Sequence, residues 1–480
     1  MSQRIFWIII TVLGLAFVGT TTALVVTLAS DSGDETAIET APRPGRVRGR
    51  VYDDYGNMVT AGIIVEDENG NQERLQTNYL GGYTLRLPPG EYRLHFTRGM
   101  QYSIVTEDIT VESFKTYVLN DVRLVRLFDS RDYGYYPGDL HHHSTWSDGA
   151  DDVDSVLLSH LSNTLYFGFL TDHNTASGLA EWMQGDRFAV DMTPTGDPVW
   201  FSPFLGNEVT TLYGHFNALG TGIVIPEWDI DVSKGDIPIE EVSYIADEIR
   251  RSGAVSVINH PFSRDELGFY FWEILDEFDA IEIWNGVYSP HGRENVQVRE
   301  YWYGLLNDGR FFPAVSGSDN HSVRSPYNPN WLPANPTDDD LYHDDFLKMG
   351  RYTGMPSFYA RIPDGTISLE NVQYALMNGH GFMSNGILLF ADVDGAEYGD
   401  THSLNGNTTA NLNLTAFGRE GIDVIRIIHN GVVVEEIDVN AERHYENIIV
   451  IDSLEPGDWI VLESEGPMAR YAITNPIFFD

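Results

Sequence analysis

Between Tyr135 and His321, six apolar runs each lead into polar residues, most of them able to hold a metal. Tyr135-Tyr136 leads to Asp139-Leu140-His141-His142-His143, with Asp148 shortly after, and Leu165–Leu170 leads to Asp172-His173-Asn174. Phe204-Leu205 leads to Gly206-Asn207-Glu208, and Ala254–Ile258 leads to Asn259-His260-Pro261. Ile281–Trp284 leads to Asn285, and Phe311–Val315 leads to Ser318-Asp319-Asn320-His321. On extended backbone, residues i and i+2 share a side, so His141 and His143 point together, as do Asp319 and His321, while His142 faces away. Imidazole mixed with carboxylate suits Zn, Mn or Fe, and a lone glutamate such as Glu208 can hold two ions together. Ions about 3.5–4 Å apart stabilise both the attacking and the leaving oxygen of an in-line displacement at phosphorus. With no cysteine and no glycine-rich phosphate loop, hydroxide held by metal is the nucleophile this set would supply.

These segments need elements that bring them together. From Phe128 to about Phe390 helical and strand patterns alternate: helices over Asp151–Leu161, Pro238–Arg251 and Asn295–Leu306 are followed by strands over Leu165–Leu170, Ala254–Ile258 and Phe311–Val315. Such alternation argues for an α/β domain with a parallel sheet or barrel, and barrels gather their active sites at the C-terminal strand ends. Gly45 to Leu127 reads as strands and turns, with a hairpin expected at Pro88-Pro89-Gly90, and β patterns return after Gly395.

Taken in order, "GDLHHHSTWSDG", "TDHN", "GNEVT", "INHP", "IEIWNG" and "GSDNH" resemble the PHP superfamily of metal-dependent phosphoesterases, and most of all its CehA/McbA-like branch. The resemblance covers about residues 128–395 and includes "MNGHGFMSNGILLFADVDGAEYGD", where the family's Asn-Gly-Pro is Asn385-Gly386-Ile387. It implies a distorted (β/α)7 barrel holding two or three divalent transition-metal ions (Mn, Zn or Fe). It further implies His141, His143, Asp148, His173, Glu208, His260, Asp319 and His321 as ligands, with Glu208 bridging. A position that is histidine or cysteine in some branches is Asn285 here, which implies two strong metal positions and a weaker third. Asp139 and Asp172 precede ligating histidines and are expected to orient them from behind. His215 is expected to protonate the leaving group or bind phosphate. Residues 45–127 resemble the carboxypeptidase regulatory-like (transthyretin-like) β-sandwich through "GRVYDDYGNMVTAGIIV" and "GGYTLRLPPGEYRL". A C-terminal β domain is expected over 396–480.

Charge and the N-terminus set the surroundings. The net charge of −42 repels phosphate backbones, so no nucleic acid partner is expected. Arg4 precedes, and Asp31, Asp34 and Glu35 follow, the uncharged run Ile5–Ala29. At 1.5 Å per residue this run spans about 37 Å, enough for a hydrocarbon core of about 30 Å. The positive-inside rule then places the remainder outside the cytoplasm. The expectation is a transmembrane anchor over 1–30, an acidic tether over 31–44, and an extracytoplasmic catalytic domain. Thr27-Leu28-Ala29 would serve as a cleavage site for a secreted alternative. The run Asp338-Asp339-Asp340 reads as a solvated acidic loop. The functional expectation is a hydrolase of small phosphate esters. The alternatives are a carboxylic or carbamate ester hydrolase with the same site, or a non-catalytic carbohydrate- or matrix-binding surface protein.

Overall fold

The computed structural model describes residues 43–225, 238–263, 267–324 and 352–480, without the side chains of Asn120 and Asp121. The apolar run Ile5–Ala29, Arg264 and the acidic run Asp338-Asp339-Asp340 lie outside the described residues. Among the described residues no helix is long and apolar enough to cross a membrane.

Residues 45–124 form two sheets over one core. Gly82–Leu87, Gly45–Asp53 and Thr116–Leu124 make one, and Gln72–Gln76, Gly62–Asp67, Gly90–Thr97 and Val105–Val111 make the other. Alternation along the strands sends one face inward: Val47, Val51, Leu85, Ile63, Leu94 and Phe96 are buried together. The hairpin expected at Pro88-Pro89 does not form. Gly82–Leu87 and Gly90–Thr97 lie in different sheets, so this turn carries the chain across the sandwich. Two consecutive prolines lack the N–H groups that a ladder would use, which favours a crossing over a pairing.

Seven strands then form an arc, in the order Tyr135–Asp139, Phe167–Leu170, Ser202–Thr211, Gly214–Leu219, Val255–Ile258, Ala280–Asn285 and Ala314–Gly317. Six run parallel. Gly214–Leu219 is antiparallel to both neighbours, so the distortion of the expected (β/α)7 order takes the form of a hairpin. The cause lies in the long Ser202–Thr211 strand. Its parallel pairing ends at Leu205, and from Gly206 to Thr211 it pairs instead with Gly214–Leu219. The two edges of the arc meet beyond their C-terminal ends. There Asp319 N–H donates to His141 O at 2.8 Å, His143 N–H donates to Asn320 O at 3.2 Å, and His142 and Asn320 form a parallel bridge.

The helices follow their sequence signals. Asp152 caps Val153–Ser162 by accepting from Ser155 N–H at 2.9 Å. Pro238–Arg251 opens with Glu240 and Glu241 and closes with Arg250 and Arg251, complementing its dipole at both ends. The strands after residue 396, where a β domain is expected, continue the sheet of the arc. Gly381–Ser384 pairs with Arg470–Thr474, so one sheet runs from the arc through to the hairpin Ala410–His429/Val432–Ile451. Ile428, Trp459, Val461, Tyr471 and Ile473 are buried in the same cluster as Phe167, Val255 and Ile281.

A buried carboxylate joins sandwich to arc. Asp191 accepts from Tyr102 OH at 2.9 Å and Tyr166 OH at 3.0 Å. Arg98 and Arg131 stand 3.5 Å and 3.1 Å from it, and Arg126 also donates to it.

Candidate metal centre

Glu208 is the hub. It sits just past the point where Ser202–Thr211 leaves its parallel neighbour, which aims its side chain over the C-terminal end of the arc. Its Oε2 lies 3.2 Å from His141 Nε2, 3.2 Å from His143 Nε2 and 3.1 Å from His173 Nδ1. Its Oε1 lies 3.0 Å from His215 Nδ1 and 3.3 Å from His260 Nε2, and accepts from Asn259 Nδ2 at 2.9 Å. Asp319 Oδ1 completes the inner group, 3.3 Å from His141 Nε2 and 3.0 Å from His143 Nε2. A more exposed group lies beside it: Asp148 stands 3.2 Å from His321 Nε2 and 3.5 Å from His173 Nε2.

The ligand-capable atoms fall into three overlapping groups: His141, His143, Glu208 and Asp319; His143, Asp148, His173 and His321; and His173, Glu208 and His215. Seven of the eight expected ligands belong to these groups, and His260 joins them through Glu208. His215, expected as an acid or phosphate ligand, stands among the metal-capable imidazoles on Glu208. His142 faces away, its Nε2 2.9 Å from Thr353 Oγ1 and its Nδ1 3.0 Å from the His143 carbonyl.

The supporting residues differ in part from expectation. Asp139 holds His141 by its backbone, accepting from its N–H at 3.3 Å, and not by its ring. It accepts from Ser318 N–H at 3.0 Å and Gly354 N–H at 2.7 Å, so it fastens the closing edges of the arc. Asp172 accepts from Ser144 N–H and from the hydroxyls of Ser144 and Ser147, each at 2.7 Å; Ser147 in turn lies 3.5 Å from His143 Nδ1. Asn285 donates to Asp319 Oδ2 at 3.0 Å and to Glu282 Oε2 at 2.9 Å. Glu282, absent from the sequence expectation, is the carboxylate behind the site. It lies 3.1 Å from His141 Nδ1 and accepts from His260 N–H at 2.8 Å. A proton on His141 Nδ1 shared with Glu282 leaves Nε2 free for metal, the arrangement that fixes a ligating imidazole. The signal available in the sequence was a charged residue inside the apolar run Ile281–Trp284, because such a residue is buried only with partners.

Local backbone is bent to serve this geometry. His260 and Asp319 adopt φ of 27° and 47°, conformations costing on the order of 1–3 kcal/mol that concentrate at functional sites. Gly317 is required by proximity, since a Cβ there would meet His141 Cβ at 2.2 Å and Glu282 Oε1 at 2.9 Å.

Electrostatics and unmet valences agree. Burial works against charging His141, yet Asp319, Glu208 and Glu282 hold it well above the ordinary imidazole range. Burial also opposes charge on His143, but Asp319 and Glu208 raise it to about 9. Burial disfavours ionised Glu208, and the surrounding imidazoles still hold it well below the ordinary carboxylate range. His215 is pushed down by burial. His141 Nε2, His143 Nε2 and Glu208 Oε2 are buried without a hydrogen-bond partner among the described residues, although they lie within 3.2 Å of one another in two pairs. Their lone pairs converge without hydrogen-bond geometry. Such a set fits divalent cations, which take imidazole and carboxylate together and satisfy atoms that otherwise carry a desolvation cost. A cleft of 310 Å³, lined by His260, Ser263, Tyr288, Asp319, Asn320 and His321, opens onto the group.

No protein-family model matches the chain, and no curated protein matches it. Among solved structures it is similar to a two-domain protein from Bacteroides vulgatus containing a predicted PHP-like metal-dependent phosphoesterase. That likeness has 16% identity and a TM-score of 0.35, over 69% of this chain and 91% of that one. It is also similar to an amidohydrolase from Chromobacterium violaceum with bound sulfate and no metal, at 21% identity and a TM-score of 0.27, over 43% and 96%. A third is a predicted metal-dependent phosphoesterase from Bifidobacterium adolescentis, at 16% identity and a TM-score of 0.26, over 44% and 96%.

Proposed function

We propose that the chain is a metal-dependent hydrolase of phosphate esters, of the PHP type, held outside the cytoplasm by its N-terminal apolar run. The observation that carries the reading is the convergence of five imidazoles on the buried Glu208 carboxylate, whose Oε2 has no hydrogen-bond partner among the described residues. His141, His143, Glu208 and Asp319 would hold one ion, with His173 and His215 sharing Glu208 toward a second, and Asp148 and His321 offering the exposed third position. Divalent ions so held supply Lewis-acid stabilisation of phosphoryl charge and acidify water.

The chain's own residues do the remaining work. Glu282 and Asn285 fix His141, His260 and Asp319 in orientation. Asp139 ties the two edges of the arc together at the site. The cleft beside His260 and His321 receives the ester, and its serine and tyrosine hydroxyls can donate to phosphoryl oxygens. Purified full-length protein in detergent, supplied with Mn, Zn or Fe, should hydrolyse a phosphate diester or monoester faster than a neutral aryl ester. Hydrolysis confined to the aryl ester, or no hydrolysis with any of these metals, would overturn the assignment.

A further inference from the structure

The outer face of the sandwich's three-stranded sheet is built of cations. Along Gly45–Asp53, Val47 and Val51 are buried while Arg46, Arg48 and Arg50 point outward and are exposed. Arg86 lies directly opposite Arg46, and Arg123 pairs in register with Tyr52; both are exposed. Among the described residues none of these five arginines makes an ion pair. The three strands contain two acidic residues: Asp53, buried and bonded to Asn57, and Asp121. Like charges directly opposite one another destabilise a strand pair. On a chain with a net charge of −42, this face is an island of opposite sign.

Two further observations point to a ligand. A hollow of 620 Å³ opens on the face, lined by Arg48, Arg50, Tyr52, Tyr83, Thr84 and Val118. At the edge where the chain enters the sheet, Arg46 N–H bonds to Lys115 O at 2.8 Å. The adjacent Phe114 is 73% exposed beneath Arg43, whose guanidinium carbon lies 5.6 Å from the ring. Unpaired arginines beside an exposed aromatic are the composition of a surface that rests on lipid headgroups.

We propose that this arginine face docks on anionic lipid headgroups, with their phosphates over the hollow and Phe114 at the acyl boundary. Lipid is favoured over a soluble polyanion by chain length. The apolar run ends at Ala29 and the first strand begins at Gly45, a tether that reaches about 50 Å fully extended and averages about 20 Å if flexible. The proposal rests on the membrane reading of Ile5–Ala29 and is independent of the metal centre.

The absence of cysteine permits a clean test on the full-length chain. Thr116→Cys, opposite Arg46, carries a solvatochromic dye, and Glu435→Cys on the distant hairpin carries it as control. The protein is reconstituted into vesicles of phosphatidylcholine alone or with phosphatidylglycerol. The expected result is a blue shift at position 116 only, and only with phosphatidylglycerol. The shift should vanish at 1 M salt, where the Debye length falls to about 3 Å. It should also vanish in Arg46→Glu/Arg48→Glu and persist in Arg46→Lys/Arg48→Lys. Equal emission in both vesicle types, an equal shift at position 435, or a shift that survives charge reversal would overturn the proposal. A shift in phosphatidylcholine vesicles produced by added dextran sulfate, with none from phosphatidylglycerol, would assign the face to a soluble polyanion instead. Failure of the chain to float with either vesicle would remove the proximity argument and overturn it too. Metal content and hydrolysis should be unchanged in every arginine variant, which separates this result from the fate of the proposed activity.

Discussion

His141 can present Nε2 to Glu208 and Asp319 because Glu282 stands behind its Nδ1. Glu282→Gln keeps the volume but removes the charge that favours this tautomer, so metal affinity should fall about 10–100-fold; competition with a chelator would measure it, and unchanged affinity would remove Glu282 from its role. A second expectation concerns protons. In the metal-free chain Asp319 and Glu208 raise His143 to about 9 against the effect of burial, so at neutral pH a cation must displace a proton. Affinity should therefore climb as pH rises through neutrality toward about 9, with protons released on binding. Calorimetry in two buffers of different ionisation enthalpy reads this directly, and a flat affinity from pH 6 to 9 would contradict it. At this scale the sequence was informative wherever spacing alone fixed direction: His141 and His143 point together and His142 away. It was silent where a role depends on a partner distant in sequence, as with Glu282 behind His141 and Asp139 beneath Ser318.

Elements are held together by few buried charges. Asp191 gathers Arg98, Arg126 and Arg131; removing it leaves Arg98 without a carboxylate between sandwich and arc, while Arg126 and Arg131 keep Asp129. Asp191→Asn should cost about 3–5 kcal/mol. The sign with pH follows from the same contacts. Burial opposes the Asp191 carboxylate, but the three arginines depress it to about 2, below its unfolded value of about 3.9. Its contribution is complete above about pH 4 and is lost as pH falls through about 2. Urea titrations of the two proteins should converge toward pH 2; a constant gap would show that the arginines do not depend on this charge. Helix Pro238–Arg251 was legible to the residue because proline, acids and bases mark both its ends. The reversed strand Gly214–Leu219 was not, because the apolar run at Phe204-Leu205 gives no sign that pairing switches partner after Leu205. The long hairpin does carry a signal, Asn430-Gly431, both at positive φ, the pair that favours tight two-residue turns.

Over the whole molecule the net charge of −42 sets the response to salt. Screening should raise the second-order rate for an anionic diester, leave turnover nearly unchanged, and leave capture of a neutral ester untouched. A rate for the diester that falls steadily with salt would instead indicate basic steering near the cleft, where Arg324 stands 3.8 Å from Asp151. The continuity of one sheet from arc to C-terminal hairpin was hidden from the sequence, because β patterning shows that strands exist but not which edge they join. What the sequence did carry was the set of residues that converge, and their convergence is the claim most open to measurement. Elemental analysis after equilibrium dialysis against Mn or Zn should find about two ions per wild-type chain. Glu208→Gln should lose most of both, and His321→Ala should lose less. A wild-type chain that binds no ion, or a Glu208→Gln chain that keeps the full complement, would contradict the account.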